Sequence, residues 1–325
     1  MLIFTNEKEY YQEEFLSYGG EIFRIPRKKT INGKEIDFYY RGFNILIGTY
    51  NILKKHGPYQ AIHCHNYFES SMCLLAAKLA GVKIRIVHAH NDLSNVPYSK
   101  SRLMIQKIYK KIMNKCATKK IGCSKKALEY MFDSDGRVIY NGINLEKFNG
   151  AMVEKKSQNS KIQLLHVGNF SPQKNQLFII KIMKQLIKDK VKCELILVGG
   201  KSDYYNDVVE LIDCNKLKQY VEILPQDSNV PEIMSKADLF LFPSNYEGLG
   251  IVLIEAQAMG LHCIVSDAIP EEADLGNLEY IDELDEKKWV NKIKLFIDAY
   301  SEKKKVDMNS YDIKNICKEY KKLYQ

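Results

Sequence analysis

Glu247 and Glu255 stand eight positions apart in the stretch Ser244-Asn245-Tyr246-Glu247-Gly248-Leu249-Gly250-Ile251-Val252-Leu253-Ile254-Glu255-Ala256. A Gly-x-Gly turn follows the first carboxylate, and an apolar run carries the second. The preceding Asp238-Leu239-Phe240-Leu241-Phe242-Pro243 reads as a buried strand stopped by proline. Glu247 is therefore expected on a strand-to-helix loop and Glu255 about two turns into the helix. The glycines leave backbone N–H groups able to approach an anion at the helix start, where the helix dipole also favours negative charge. Such a site can hold a diphosphate while a carboxylate accepts hydrogen bonds from sugar or ribose hydroxyls. A Gly-x-Gly alone is only a turn; the two glutamates and the strand before them make it a candidate site.

Three other segments carry chemistry. His166-Val167-Gly168-Asn169-Phe170-Ser171-Pro172-Gln173-Lys174-Asn175 follows an apolar run; Gly168 permits close backbone approach at a strand end, and Lys174 offers a mobile ammonium for a departing diphosphate. His63-Cys64-His65-Asn66 and His88-Ala89-His90-Asn91 are two His-x-His pairs. Alternate residues of a strand share a face, so either pair can chelate, but no acidic or cysteine partner stands at suitable spacing and no metal is expected. Val198-Gly199-Gly200-Lys201-Ser202 is not a P-loop, because the required earlier glycine is Leu195.

The elements that must position these residues alternate along the chain. Strands are expected at 61–65, 84–88, 120–123 and 138–140, with helices over 70–80 and 101–117. After the turn Asn141-Gly142-Ile143-Asn144, the polar stretch Leu145–Ser160 suits a linker. The pattern then restarts with strands at 162–167, 193–198, 221–224, 239–242 and 262–265. Helices are expected between them at 177–188, 207–215, 230–235 and 251–259, and a last amphipathic helix lies within 311–324. This alternation predicts an α/β protein with parallel sheets covered by helices.

A length of 325 residues suits two domains, and 46% hydrophobic and 27% charged residues are ordinary for a globular protein. No uninterrupted apolar run approaches the roughly 20 residues of a membrane helix. The N-terminus turns polar too early for a signal peptide, so the expected location is the cytoplasm. The eight cysteines include no Cys-x-x-Cys pair and read as reduced, mostly buried thiols. The net charge of +8 concentrates in Lys107, Lys110, Lys111, Lys115, Lys119, Lys120, Lys125 and Lys126. That run reads either as a solvated helix face or as attraction to an anionic membrane surface or a lipid-diphosphate acceptor. No nucleic-acid module accompanies it, so nucleic acid is not an expected partner.

The Glu-x7-Glu segment resembles the nucleotide-sugar motif of retaining glycosyltransferases of family 4, with the two-Rossmann-domain (GT-B) fold. His88-Ala89-His90-Asn91 is similar to the His-Ser-His-Asn of its exopolysaccharide and capsule-type members, and His63-Cys64-His65 to their first-domain His-x-His. Val198-Gly199-Gly200 and Asn141-Gly142-Ile143-Asn144 match two structural turns of the family. At Val167-Gly168-Asn169-Phe170, Asn169 stands where arginine is usual, which removes one positive charge and leaves more of the diphosphate to Lys174 and backbone amides. The resemblance implies a Rossmann-like acceptor domain over 1–150, a nucleotide-sugar domain over 151–305 and a C-terminal helix, 306–325, packing back on the first domain. Met1–Phe4 aligns with the second strand of such a domain, so the first βα unit is expected to be missing and the N-terminal domain incomplete. The implied function is transfer of a hexose from a nucleotide sugar, a UDP-sugar foremost, to a polysaccharide or lipid-linked acceptor in surface polysaccharide biosynthesis, with peripheral contact at the inner membrane surface as an optional partner. By the same resemblance His90, Lys174 and Glu247 are catalytic candidates; Gly168, Asn169, Lys174, Glu247, Gly248, Leu249, Gly250, Ile251 and Glu255 are donor-binding candidates; no metal or other cofactor is implied. A catalytically inactive partner subunit and a sugar-nucleotide epimerase of similar architecture are the alternatives.

Overall fold

The computed structural model describes residues 1–9, 11–25, 30–31, 34–35, 38–92, 96, 98–133, 135–149, 161–299 and 306–325. Most of the expected linker 145–160, with the 150/151 boundary, lies outside them. The described chain forms two compact units, one of Met1–His90, Val96–Val138 and Tyr320–Gln325, the other of Asn91–Asn95 and Ile139–Glu319.

The first unit contains β1 (Leu2–Ile3), α1 (Gln12–Ser17), β2 (Phe23–Arg24), β3 (Thr30–Ile31), β4 (Lys34–Glu35), α2 (Phe38–His56), β5 (Ala61–Cys64), α3 (Ser70–Ala80) and β6 (Ile84–Ala89). It continues through α4 (Lys100–Cys116), β7 (Lys119–Gly122), α5 (Lys125–Phe132) and β8 (Arg137–Val138). β5, β6, β7 and β8 form a parallel sheet in that order, β1 and β2 a separate parallel pair, and β3 and β4 a short antiparallel pair. Two helices start on serine caps: Ser99 accepts from the Arg102 amide and Ser124 from the Ala127 amide. In α4 the stripe Gln106, Tyr109, Met113 and Cys116 is buried, while Lys107, Lys111 and Lys115 are exposed.

The second unit contains β9 (Ile162–Val167), α6 (Gln176–Lys188), β10 (Cys193–Val198), α7 (Asp203–Cys214), β11 (Val221–Leu224), α8 (Val230–Lys236), β12 (Leu239–Phe242), α9 (Ile251–Ala258), β13 (His262–Ser266), β14 (Leu278–Ile281) and α10 (Glu286–Ala299). A final helix, α11 (Ile313–Leu323), runs from this unit into the closing residues of the first. Six strands form one parallel sheet in the order β11-β10-β9-β12-β13-β14. All four residues of β12 are buried, as expected of a parallel strand covered on both faces. Leu164, Leu195, Leu197, Leu239, Leu241 and Ile264 pack with Ile179, Met183, Trp289 and Ile293 in the principal core of this unit.

The strands at 162–167, 193–198, 221–224 and 239–242 lie where the sequence places them. The helices α1, α2, α5 and α10 and the strands β3, β4 and β14 are additional. All eight cysteines are free thiols, six of them buried.

Candidate active site

Strand order decides where this unit can bind a ligand. From β9 the chain winds outward through β10 to β11, then returns to place β12 on the other side of β9. The order reverses at the β9–β12 pair, and a crevice opens beyond the carboxyl ends of strands at such a switch point. The loops leaving those two ends are 168–175 and 243–250, two of the segments whose residue types suggest chemistry.

These loops are tied to one another. Asn245 donates its amide to the Gln173 carbonyl at 2.8 Å and its side chain to the Pro172 carbonyl at 2.6 Å. Gln173 Nε2 donates to the Tyr246 carbonyl at 3.0 Å. Across this seam Lys174 Nζ lies 2.6 Å from Glu247 Oε1, with the side chains 19% and 6% exposed. The same ammonium sits 4.6 Å from the centroid of the Phe242 ring. Its charge is thus held by a carboxylate and an aromatic face at the strand end.

Beneath the seam, Gln176 Nε2 donates to the carbonyls of Gly168 and Asn169, at 3.3 and 3.2 Å, and faces His166 Nε2 at 3.3 Å. His166 Nδ1 donates to the Leu241 carbonyl at 2.9 Å, linking β9 to β12. Burial pulls its pKa down to about 4, so the ring is a neutral strut. The Gly168 amide donates to Val198, and Asn169 Oδ1 accepts from the Gly200 amide at 3.2 Å. Both groups are engaged in joining the β9 and β10 loops. Gly199 is required there: a Cβ on it would stand 2.1 Å from the Gly168 carbonyl oxygen.

After Glu247 the loop is buried through Gly248, Leu249 and Gly250. Gly250 caps α9 with φ +75, a conformation that favours glycine, and its carbonyl accepts from the Leu253 amide at 2.8 Å. Among the described residues no backbone carbonyl takes up the amides of Gly248, Leu249, Gly250 or Ile251. Glu255, partly buried on α9, has no side-chain partner among the described residues, and burial lifts its pKa to about 7. Lys174, Glu247, Gly168, Asn169, Gly248, Leu249, Gly250, Ile251 and Glu255 all belong to this one unit. Gln173, Gln176, Phe242 and Asn245, which no sequence pattern singles out, support it.

His90 belongs to the first unit. Its Nε2 lies 2.8 Å from His65 Nδ1, and its ring stands 4.1 Å from that of His88. Burial, then the neighbouring imidazoles, lower the pKa values of His63 to about 3 and His88 to about 2; burial, then His65, takes His90 to about 4.

The model of the family "Glycosyltransferase Family 4" matches residues 3–147, and that of "Glycosyl transferases group 1" matches residues 150–314. The chain is 32% identical over 289 residues to the putative glycosyltransferase EpsF of Bacillus subtilis, covering 85% of this chain and 72% of that protein. To the capsular polysaccharide biosynthesis glycosyltransferase CapH of Staphylococcus aureus it is 30% identical over 279 residues, covering 81% and 76%. Its fold is similar to that of Anabaena HepE, solved in complex with UDP and glucose, with a TM-score of 0.76, 18% identity, and 99% and 90% of the two chains covered. Two helix-covered parallel sheets, a loop pair at a switch point and family matches along both halves lead to one conclusion: the chain belongs to glycosyltransferase family 4 and has the GT-B fold.

Proposed function

We propose that this glycosyltransferase takes a hexose from a UDP-sugar and transfers it, with retained anomeric configuration, to a polysaccharide or lipid-linked acceptor of surface polysaccharide assembly. The observation that carries the reading is the Gly248–Ile251 turn, buried through Gly250, whose amides have no backbone acceptor among the described residues, set between Lys174–Glu247 and Glu255, which has no side-chain partner among them. The HepE complex with UDP and glucose supports the donor class, and the name of CapH supports the setting.

In this reading the diphosphate lies on the amides of α9, as anions do at helix starts. Lys174 turns from Glu247 toward the departing phosphate and offsets its growing charge. Glu247, released from the ion pair, accepts hydrogen bonds from sugar hydroxyls, and Glu255 accepts from the ribose. The bond from the anomeric carbon to the diphosphate oxygen breaks, the acceptor oxygen forms the new one and passes its proton to the departing diphosphate oxygen, and the nucleoside diphosphate leaves. Charge on the leaving group is met by Lys174 and amides, so transfer is expected to need no metal. The assignment of His90 to the sugar hydroxyls rests on the sequence resemblance. The basic lysine run is assigned to peripheral attraction toward an anionic membrane surface.

Labelled UDP-hexoses incubated with a lipid-diphosphate acceptor test the proposal, with the product's anomeric configuration read by NMR. Acceptor-dependent product with the donor's configuration is expected. Nucleotide conversion without acceptor would identify an epimerase, and absence of nucleotide binding would favour an inactive partner subunit.

A further inference from the structure

The two His-x-His pairs permit chelation by spacing alone; the folded chain adds orientation. β5 and β6 pair in parallel, with His63 opposite Ile86 and Cys64 opposite Val87. Continuing that register sets His65 beside His88, and the alternation of side chains puts His63, His65, His88 and His90 on one face of the sheet. One ring nitrogen from each of His63, His65 and His88 can be chosen so that all three lie within 4.8 Å of one another.

The outer nitrogens are occupied. His63 Nδ1 lies 2.7 Å from the Tyr324 hydroxyl and His88 Nδ1 3.5 Å from the Tyr320 hydroxyl, both supplied by the end of the chain at α11. His65 Nδ1 pairs with His90 Nε2. The inner nitrogens of two rings are unmatched: His63 Nε2 and His88 Nε2 are buried with no hydrogen-bond partner among the described residues. A buried polar atom left unpaired is costly, so two of them a strand apart call for a shared partner. Rings held through Nδ1 by an oxygen, with Nε2 turned inward, are what the outer shell of a histidine metal site produces.

We infer that His63, His65 and His88 form a binding site for a divalent first-row transition ion, zinc foremost, at the carboxyl ends of β5 and β6. Nitrogen ligands without an accompanying oxygen cluster suit zinc and its neighbours and disfavour magnesium and calcium. Zn–N bonds of about 2.0–2.1 Å require the rings to draw closer than their present spacing. His88 is buried and His65 exposed, so the ion enters from the His65 side and keeps its fourth position open to water or an anion. The ion ties the two strand ends together and, through Tyr320 and Tyr324, orders the end of the chain. The three histidines belong to the first unit, and the assignment of the ion does not depend on that of the donor residues.

The test uses the tag-free full chain, stripped with chelator and titrated with zinc, and separately with cobalt, whose visible absorption reports coordination geometry. One zinc per chain and a tetrahedral cobalt spectrum are expected, with magnesium producing neither. His65→Gln lies at the exposed edge and is expected to keep its circular dichroism while binding zinc at least 100-fold more weakly. His63→Gln is expected to do the same, and the control His262→Gln, whose ring pairs with Glu279 instead, to bind as the parent does. Zinc binding that is absent in the parent chain, or equally strong in the folded His63→Gln and His65→Gln variants, would overturn the assignment.

Discussion

At the residue scale, two carboxylates eight positions apart have opposite circumstances. Glu247 is buried but matched by Lys174; Glu255 is partly buried and unmatched among the described residues. Removing the ammonium by Lys174→Ala leaves a buried carboxylate alone, a loss on the order of 3 kcal/mol of stability. The double variant Lys174→Met/Glu247→Gln removes the orphan charge and should recover much of that loss in a urea unfolding series. Under the proposed mechanism transfer should fall roughly 100-fold or more in both, because the leaving group would lose its cation in each. Glu255 makes a second, pH-dependent prediction. Its pKa is about 7 in the fold against 4.5 as the ordinary value, so the folded state holds a proton that the unfolded state releases between these limits. Raising the pH through that window therefore removes stability from the free protein, by up to about 3 kcal/mol at 1.36 kcal/mol per pKa unit. Below the window the group is neutral in both states, and above it charged in both, at constant cost. Unfolding midpoints measured from pH 4.5 to 8 should show this slope flattened in Glu255→Gln.

At the scale of elements, the sheet of the second unit is the most legible part of the chain. Leu239–Phe242, apolar and buried at all four positions, is its clearest strand, and the largely apolar runs 162–167 and 193–198 show their limits nearly as well. The first unit is harder to read. β1, β2 and β8 are two residues long and carry no periodicity, and α2 is rich in aromatic, β-branched and glycine residues that lower helix propensity. The Gly-Gly turn after β10 is visible in the sequence, but its steric reason is not, since Gly168 approaches Gly199 only once β9 and β10 are paired. Gly199→Ala should force these strand ends apart, lower stability by roughly 1–3 kcal/mol as overpacking does, and weaken nucleotide binding with it. A thermal melt and a nucleotide titration of this variant check both effects. A normal melting temperature would mean that the loops adjust without cost.

At the scale of the whole molecule, the candidate residues are visible in the sequence but their grouping is not. Lys174 and Glu247 are separated by 73 residues, and only the return of β12 to the side of β9 brings them to 2.6 Å. No local pattern encodes that crossover. The same holds for the histidines, where the spacing of each pair is plain while the tyrosines closing over them come from the far end of the chain. The central claim is that the second unit presents a nucleoside diphosphate with amides, a lysine and a ribose-binding carboxylate. Calorimetric titration of the parent chain and Glu255→Ala with UDP and GDP tests it most directly. The account predicts saturable 1:1 binding of UDP by the parent, tighter than GDP, and at least 10-fold weaker binding by Glu255→Ala, the loss of one charged hydrogen-bonding group. No binding of either nucleotide by the folded parent, or equal UDP affinity in the variant, would contradict it.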